Sequence, residues 1–158
     1  MEQEWCKQVA PLTLDQAGCW YDQGVRVTNP RLAEFLLTHL RKDENGRYLV
    51  AVGRDKRYVE VADAPYRALG IEVGGGAESS QQLLVRLNDG SLEPFDPATF
   101  WIAQDGTPYC LVRSRFHKVR FTAESYRQLS AFITAEPETG RYLLQIGALQ
   151  IPVSAADP

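Results

Sequence analysis

Asp63 lies in the run Val59-Glu60-Val61-Ala62-Asp63-Ala64-Pro65-Tyr66, at the end of a predicted strand and ahead of a proline turn. From there a carboxylate either accepts a hydrogen bond from a ligand or caps its own turn. The chain has two histidines, the side chains that titrate nearest neutrality. His39 falls on the helical face of Leu32, Phe35 and Leu36, either as a titratable group at a module interface or as a core histidine bonded to a backbone carbonyl. His117 closes Arg113-Ser114-Arg115-Phe116-His117, where alternation sets Arg113, Arg115 and His117 on one strand face. Three cations in a row could hold an anion through charge-assisted hydrogen bonds; a solvated strand face is the plainer reading.

Other chemistries find less support. Cys6, Cys19 and Cys110 are odd in number and form no CxxC pair, and with the histidines they show none of the local spacing of a zinc site. No metal or cofactor is expected, and the cysteines are expected to be free thiols. Thiol catalysis requires a base within hydrogen-bond reach, which no spacing here supplies. Gly74-Gly75-Gly76-Ala77-Glu78-Ser79-Ser80 lacks the Lys-Ser/Thr of a phosphate-cradling loop and reads as a linker.

At 158 residues, 44% hydrophobic and 23% charged, the chain is in the range of ordinary globular proteins. Seventeen basic against 20 acidic side chains give a net charge of −3, which argues against nucleic acid as a partner. The first residues show neither a basic n-region nor an apolar h-region, and no apolar run is long enough to cross a bilayer, so the expectation is a cytoplasmic protein without membrane contact.

The elements that must position these residues are written twice. Residues 25–53 return without a gap ninety-four positions later, at 119–147. Nine of the 29 aligned positions are identical, including Thr28/Thr122, Gly46/Gly140, Arg47/Arg141, Tyr48/Tyr142 and Gly53/Gly147, against roughly two expected from residue frequencies. Such a repeat implies two copies of one supersecondary unit and a cleft where they meet. Thr28 and Thr122 are predicted N-caps, with Pro30 in the first turn of a helix from Asn29 to Arg41. The runs Asp43–Gly46 and Pro137–Gly140 then reverse the chain into strands Arg47–Val52 and Arg141–Ile146. Partner strands are predicted at Tyr58–Val61 and Leu149–Val153, which makes the first hairpin two residues longer. Arg47 and Arg141 are expected to pair with Glu44 and Glu138 of the same turns.

Each module is thus a hairpin, a helix and a second hairpin. The fold class is α+β, two structurally similar modules with antiparallel sheets and a β-rich middle segment. In that middle, Gln81–Asn88 reads as a strand, Asp89-Gly90 as a turn, and Phe100–Gln104 with Tyr109–Arg115 as another hairpin. Residues 70–80 are predicted to be a flexible crossover. The boundary is placed near residue 67, giving an N-terminal α+β module over 1–66 and, over 67–158, the β-rich segment with the second module.

Four runs, Gly18-Cys19-Trp20-Tyr21, Leu40 to Tyr48, Val59 to Tyr66, and Tyr109-Cys110-Leu111-Val112-Arg113, together resemble the bacterial family known as domain of unknown function 1285. The resemblance runs from about Gly18 to Val153, and Asp63-Ala64-Pro65-Tyr66 is its most specific piece. It implies a two-part α+β architecture with repeated motifs and a role in signalling or ligand binding. The chain departs from the family pattern in two places. Gly18-Cys19 precede Trp20 where the family has Asp-Gly, and Asp22 stands where it has a histidine.

The candidate ligand-binding residues are therefore Asp63, Tyr66, His39, Arg113, Arg115 and Trp20. No motif states a reaction. The first reading is a non-catalytic cytoplasmic module that binds a small molecule or a protein, with a homodimer and a role in signal transduction as further expectations. Its alternative is a small hydrolase or isomerase using Asp63 with His39 or His117 as acid and base in a cleft between the modules.

Overall fold

The computed structural model describes residues 10–74 and 81–158. Cys6 and the remainder of the predicted crossover, residues 75–80, lie outside them. The chain divides into two compact units, one ending at Pro65 and the other running from Tyr66 to Pro158.

The first unit is a six-stranded sheet with one helix. Its strands are β1 (Leu12–Leu14), β2 (Trp20–Asp22), β3 (Val25–Arg26), β4 (Leu40–Lys42), β5 (Tyr48–Val52) and β6 (Asp55–Val61), in the spatial order β3-β2-β1-β6-β5-β4. All neighbours are antiparallel except β1 and β6, which run parallel, so the sheet is mixed rather than purely antiparallel. Residues directly opposite one another share a face. The ladders Leu12↔Asp22, Leu12↔Val59, Val50↔Arg57 and Leu40↔Val50 therefore put Leu12, Leu40, Val50 and Val59, all buried, on one face with Asp22 and Arg57.

Helix α1 (Pro30–Thr38) covers that face incompletely. Its N-cap is Asn29, whose side chain accepts the Arg31 N–H at 3.0 Å, and not Thr28; Pro30 supplies the first turn as its fixed φ allows. The helix stops three residues before Arg41. Asp43 Oδ1 accepts from the backbone N–H of Asn45 (2.9 Å) and Arg47 (2.8 Å), and Gly46 takes φ +80, so a tight turn aligns Leu40–Lys42 with Val50–Tyr48 as a strand. Leu40 would be buried by either assignment, which is why helical spacing overran the boundary. Arg47 stacks on the Tyr58 ring, 3.8 Å from its centroid, in place of the expected pairing with Glu44.

The second unit holds a six-stranded and a three-stranded sheet. The larger combines β7 (Tyr66–Gly74), β8 (Gln82–Leu87), β9 (Leu92–Pro94), β10 (Trp101–Ile102), β11 (Pro108–Val112) and β12 (His117–Phe121), in the order β10-β11-β12-β7-β8-β9 with β12 and β7 parallel. Gly70–Gly74 are thus strand, not crossover: β7 pairs with β8 along its length. Phe95, Phe100 and Phe121 form an edge-to-face cluster in the core, with centroids 5.6 to 6.3 Å apart. Helix α2 (Ala123–Ser130) is capped by Thr122, as the sequence predicts, and Thr122 Oγ1 also donates to the Ala68 carbonyl at 3.0 Å. Gln128 Oε1 accepts the Ile71 N–H at 2.7 Å, which joins α2 to β7.

The smaller sheet, β13 (Ile133–Ala135), β14 (Tyr142–Ile146) and β15 (Leu149–Pro152), matches β4-β5-β6. Gly46 and Gly140 (φ +80 and +70) and Gly53 and Gly147 (φ +60 and +59) turn the chain identically in both. The pairs Val52↔Asp55 and Ile146↔Leu149 close two-residue turns of equal length, so the first hairpin is not longer and the repeat continues in register through Arg57 and Ile151. Arg141 reaches Glu136 at 3.5 Å, not Glu138.

Candidate functional site

In the first unit a pocket of about 300 Å³ opens between α1 and the sheet. Leu32 and Leu36 of the helix form its roof, Val27 its side, and Leu12, Val50 and Val52 its floor. Its polar wall is an ion pair on a face that is otherwise apolar but for Asp55 at the rim. Arg57 Nη2 donates to Asp22 Oδ1 at 2.6 Å and Nη1 to Oδ2 at 3.2 Å, while Nε donates to the Ala10 carbonyl at 2.9 Å. The Arg57 hydrogen bond outweighs partial desolvation and holds the Asp22 carboxyl below the usual carboxylate range. Asp55 and Lys56 complete the rim.

The repeat explains why the pocket is open. At Val27, Val50 and Val52 the second copy carries Phe121, Leu144 and Ile146, each larger. At Arg57 it carries Ile151. By strand register (Asp22↔Val25, Cys110↔Val119) the place of Asp22 is taken by buried Cys110, whose thiol burial pushes up in pKa. In α2, Ser125 and Leu129 are fully buried, whereas α1 buries only Leu37 and leaves Leu32 and Phe35 each more than 40% exposed. One copy is closed under its helix, the other is not.

The residues singled out in the sequence fall elsewhere. Trp20 is a core residue of β2, 3% exposed, opposite Leu14. His39 is the C-cap of α1: its Nδ1 lies 2.8 Å from the Phe35 carbonyl and its ring 4.2 Å from the Phe35 ring. The backbone-satisfied reading holds, but at a half-exposed helix end rather than in the core. Asp63 is half-buried in the bend after β6.

Arg113, Arg115 and His117 do not share a strand face. Arg113, Ser114 and Arg115 all adopt left-handed backbone (φ 54, 58 and 66) in the turn between β11 and β12, and alternation ends there. Arg113 donates to Glu93 (2.8 Å), Asp89 (2.9 Å), Ser91 (3.2 Å) and the hydroxyl of buried Tyr66 (2.9 Å). Burial alone would lower the Arg113 pKa; the bonds from Glu93 and Asp89 more than reverse that and raise it. Arg115 makes an exposed pair with Asp96 at 3.3 Å, and His117 packs edge-on against Tyr66. Tyr66 and Arg113 are thus brought together with His117, as a fastening inside the second unit.

Asp22 stood out in the sequence only as a departure from the family pattern, and neither it nor Arg57 nor Val27 was among the candidate ligand-binding residues. The signal was present: Arg57 occupies an inward position of β6, between Asp55 and Val59, where alternation calls for an apolar side chain, as Ile151 is in the sister copy. Among the described residues no group of three or more His, Cys, Asp or Glu is placed to hold a metal ion. Nor, among the described residues, is any helix long and apolar enough to cross a membrane.

Mixed sheets, a single helix after each first hairpin and a repeated three-stranded meander define a duplicated α+β protein. Two solved structures share this fold. A DUF1285 family protein from Silicibacter pomeroyi DSS-3 matches with a TM-score of 0.69 and 22% identity, over 96% of this chain and 87% of that one. A DUF1285 family protein from Shewanella baltica OS155 matches with a TM-score of 0.55 and 19% identity, over 73% of this chain and 87% of that one. The chain has the fold of these DUF1285 proteins, the family that its sequence resembles. No protein-family model and no curated protein matches it.

Proposed function

We propose that this chain is a DUF1285 protein whose first unit is a non-catalytic binding module for a small amphipathic molecule, acting in cytoplasmic signalling. The observation that carries the reading is the pocket beneath α1, which exists where the sister copy has larger or apolar side chains. A concave, mostly apolar space with a few polar groups at one wall is the usual form of a small-molecule site. Leaving Leu32 and Phe35 in water sacrifices stability, and a ligand that covers Leu32 recovers part of it. The free thiols Cys19 and Cys110 suit a reducing compartment.

The test is a thermal-shift screen of a small-molecule library against the wild-type chain and Val27→Phe, which inserts the residue of the second copy. Binders should raise the wild-type melting temperature and leave the filled variant unmoved. A substrate whose turnover depends on Asp63 and His39 would overturn the non-catalytic reading. A hit that stabilises both proteins equally would place the site elsewhere.

A further inference from the structure

The pocket's polar wall offers hydrogen-bond acceptors more than donors. Arg57 directs its Nη1 and Nη2 at Asp22 and its Nε at the Ala10 carbonyl, so each of the three guanidinium nitrogens already donates a hydrogen bond. Each Asp22 oxygen takes one of those bonds and keeps a second acceptor position, and the Asp22 side chain is 49% exposed against 23% for Arg57. Asp55 shares the face and the rim, and Lys56 reaches the rim from the opposite face of β6.

Asp22 also stands at a junction. A second hollow, of about 560 Å³, shares Asp22, Val27 and Leu32 with the first and continues outward past Gln23, Arg26, Thr28 and Asn29. A ligand bound at Asp22 therefore meets the apolar walls of the first hollow on one side and, on the other, a mixed wall in which Val25 stands among Gln23, Arg26, Thr28 and Asn29. Resting on the binding function proposed above, we propose that the site recognises a primary ammonium attached to a short aliphatic group, with the ammonium on Asp22, the aliphatic group under Leu36 and the rest of the ligand in the outer hollow. The chemistry is that of a free hydrophobic amine or of a peptide amino terminus with an aliphatic first residue.

Three probes with the same isobutyl body test it by calorimetry: leucinamide (cationic), N-acetylleucinamide (neutral) and 4-methylpentanoate (anionic). Leucinamide should bind at least roughly ten-fold more tightly than either of the others, as a charge-assisted hydrogen bond predicts. Asp22→Asn should remove that preference, Asp22→Glu should retain it, and Val27→Phe should abolish binding; melting curves of each variant show that it is folded. The tripeptide Leu-Gly-Gly separates the two sources: tighter binding than leucinamide assigns the site to a peptide terminus, weaker binding to a free amine. If the neutral or anionic probe binds as tightly as leucinamide and Val27→Phe still blocks it, the ammonium assignment is wrong while the pocket remains a binding site. If no probe binds, the ammonium assignment is equally overturned, and the library screen decides the fate of the pocket separately.

Discussion

Two arginine–carboxylate pairs illustrate how surroundings decide the role of the same chemistry. Asp22–Arg57 lies half-exposed at a pocket, whereas Asp89 is 10% exposed and bonded to both Arg113 and Ser91. Burial works against ionising Asp89, yet its bonds to Ser91 and Arg113 outweigh that and lower its pKa from the ordinary 3.8. A depressed carboxylate contributes stability above its unfolded pKa and loses it as pH falls through the folded value. The second unit should therefore lose stability below about pH 3.8, and Asp89→Asn should flatten that part of the acid-melting curve; an unchanged curve would contradict the network. Ser114, at φ +58, bears strain that glycine would not, so Ser114→Gly should raise stability by about 0.5–1 kcal/mol in denaturant titrations. None of this was legible from Arg113-Ser114-Arg115, because the alternation rule assumes extended backbone and a left-handed turn breaks that premise. Arg57 was legible as an exception to alternation, but only with knowledge of which face was buried.

Helices and turns were easier to read than their ends. Thr122 caps α2 as its position predicts, and the repeated glycines mark the same positive-φ turns in both copies. Thr28 shares the identity of Thr122 without its role, since Pro30 starts α1 one residue later and moves the cap to Asn29. Asn29→Ala should then cost about 1 kcal/mol in chemical denaturation, and Thr28→Ala less than about 0.5 kcal/mol; the reverse order would restore the cap predicted from the repeat. The pocket is a property of this level as well. Val27, Val50 and Val52 are smaller than their counterparts Phe121, Leu144 and Ile146 in the second copy, so Val27→Phe should raise the stability of the chain by on the order of 1 kcal/mol if the ring fits the space. A loss of several kcal/mol would mean that the walls are rigid and the ring is overpacked.

For the whole molecule, duplication was the feature most securely written in the sequence, and it is what the structure displays: two six-stranded sheets with one parallel pairing each, and one meander built twice. The sequence concealed how the two meanders are used. In the first unit β4, β5 and β6 extend the six-stranded sheet through β1, while β13, β14 and β15 form a sheet of their own. That difference depends on pairings between residues far apart in the chain, such as Leu12↔Val59, which no local pattern specifies. Divergence after duplication has left the second copy closed under its helix and the first open there for a ligand. The most direct measurement is a methyl-detected NMR titration with the tightest-binding compound of the screen. Shifts confined to Val27, Leu32, Leu36, Val50 and Val52, and absent in Val27→Phe, are the predicted result. Shifts centred instead on Leu144, Ile146 and Ile151, or surviving in Val27→Phe, would contradict it.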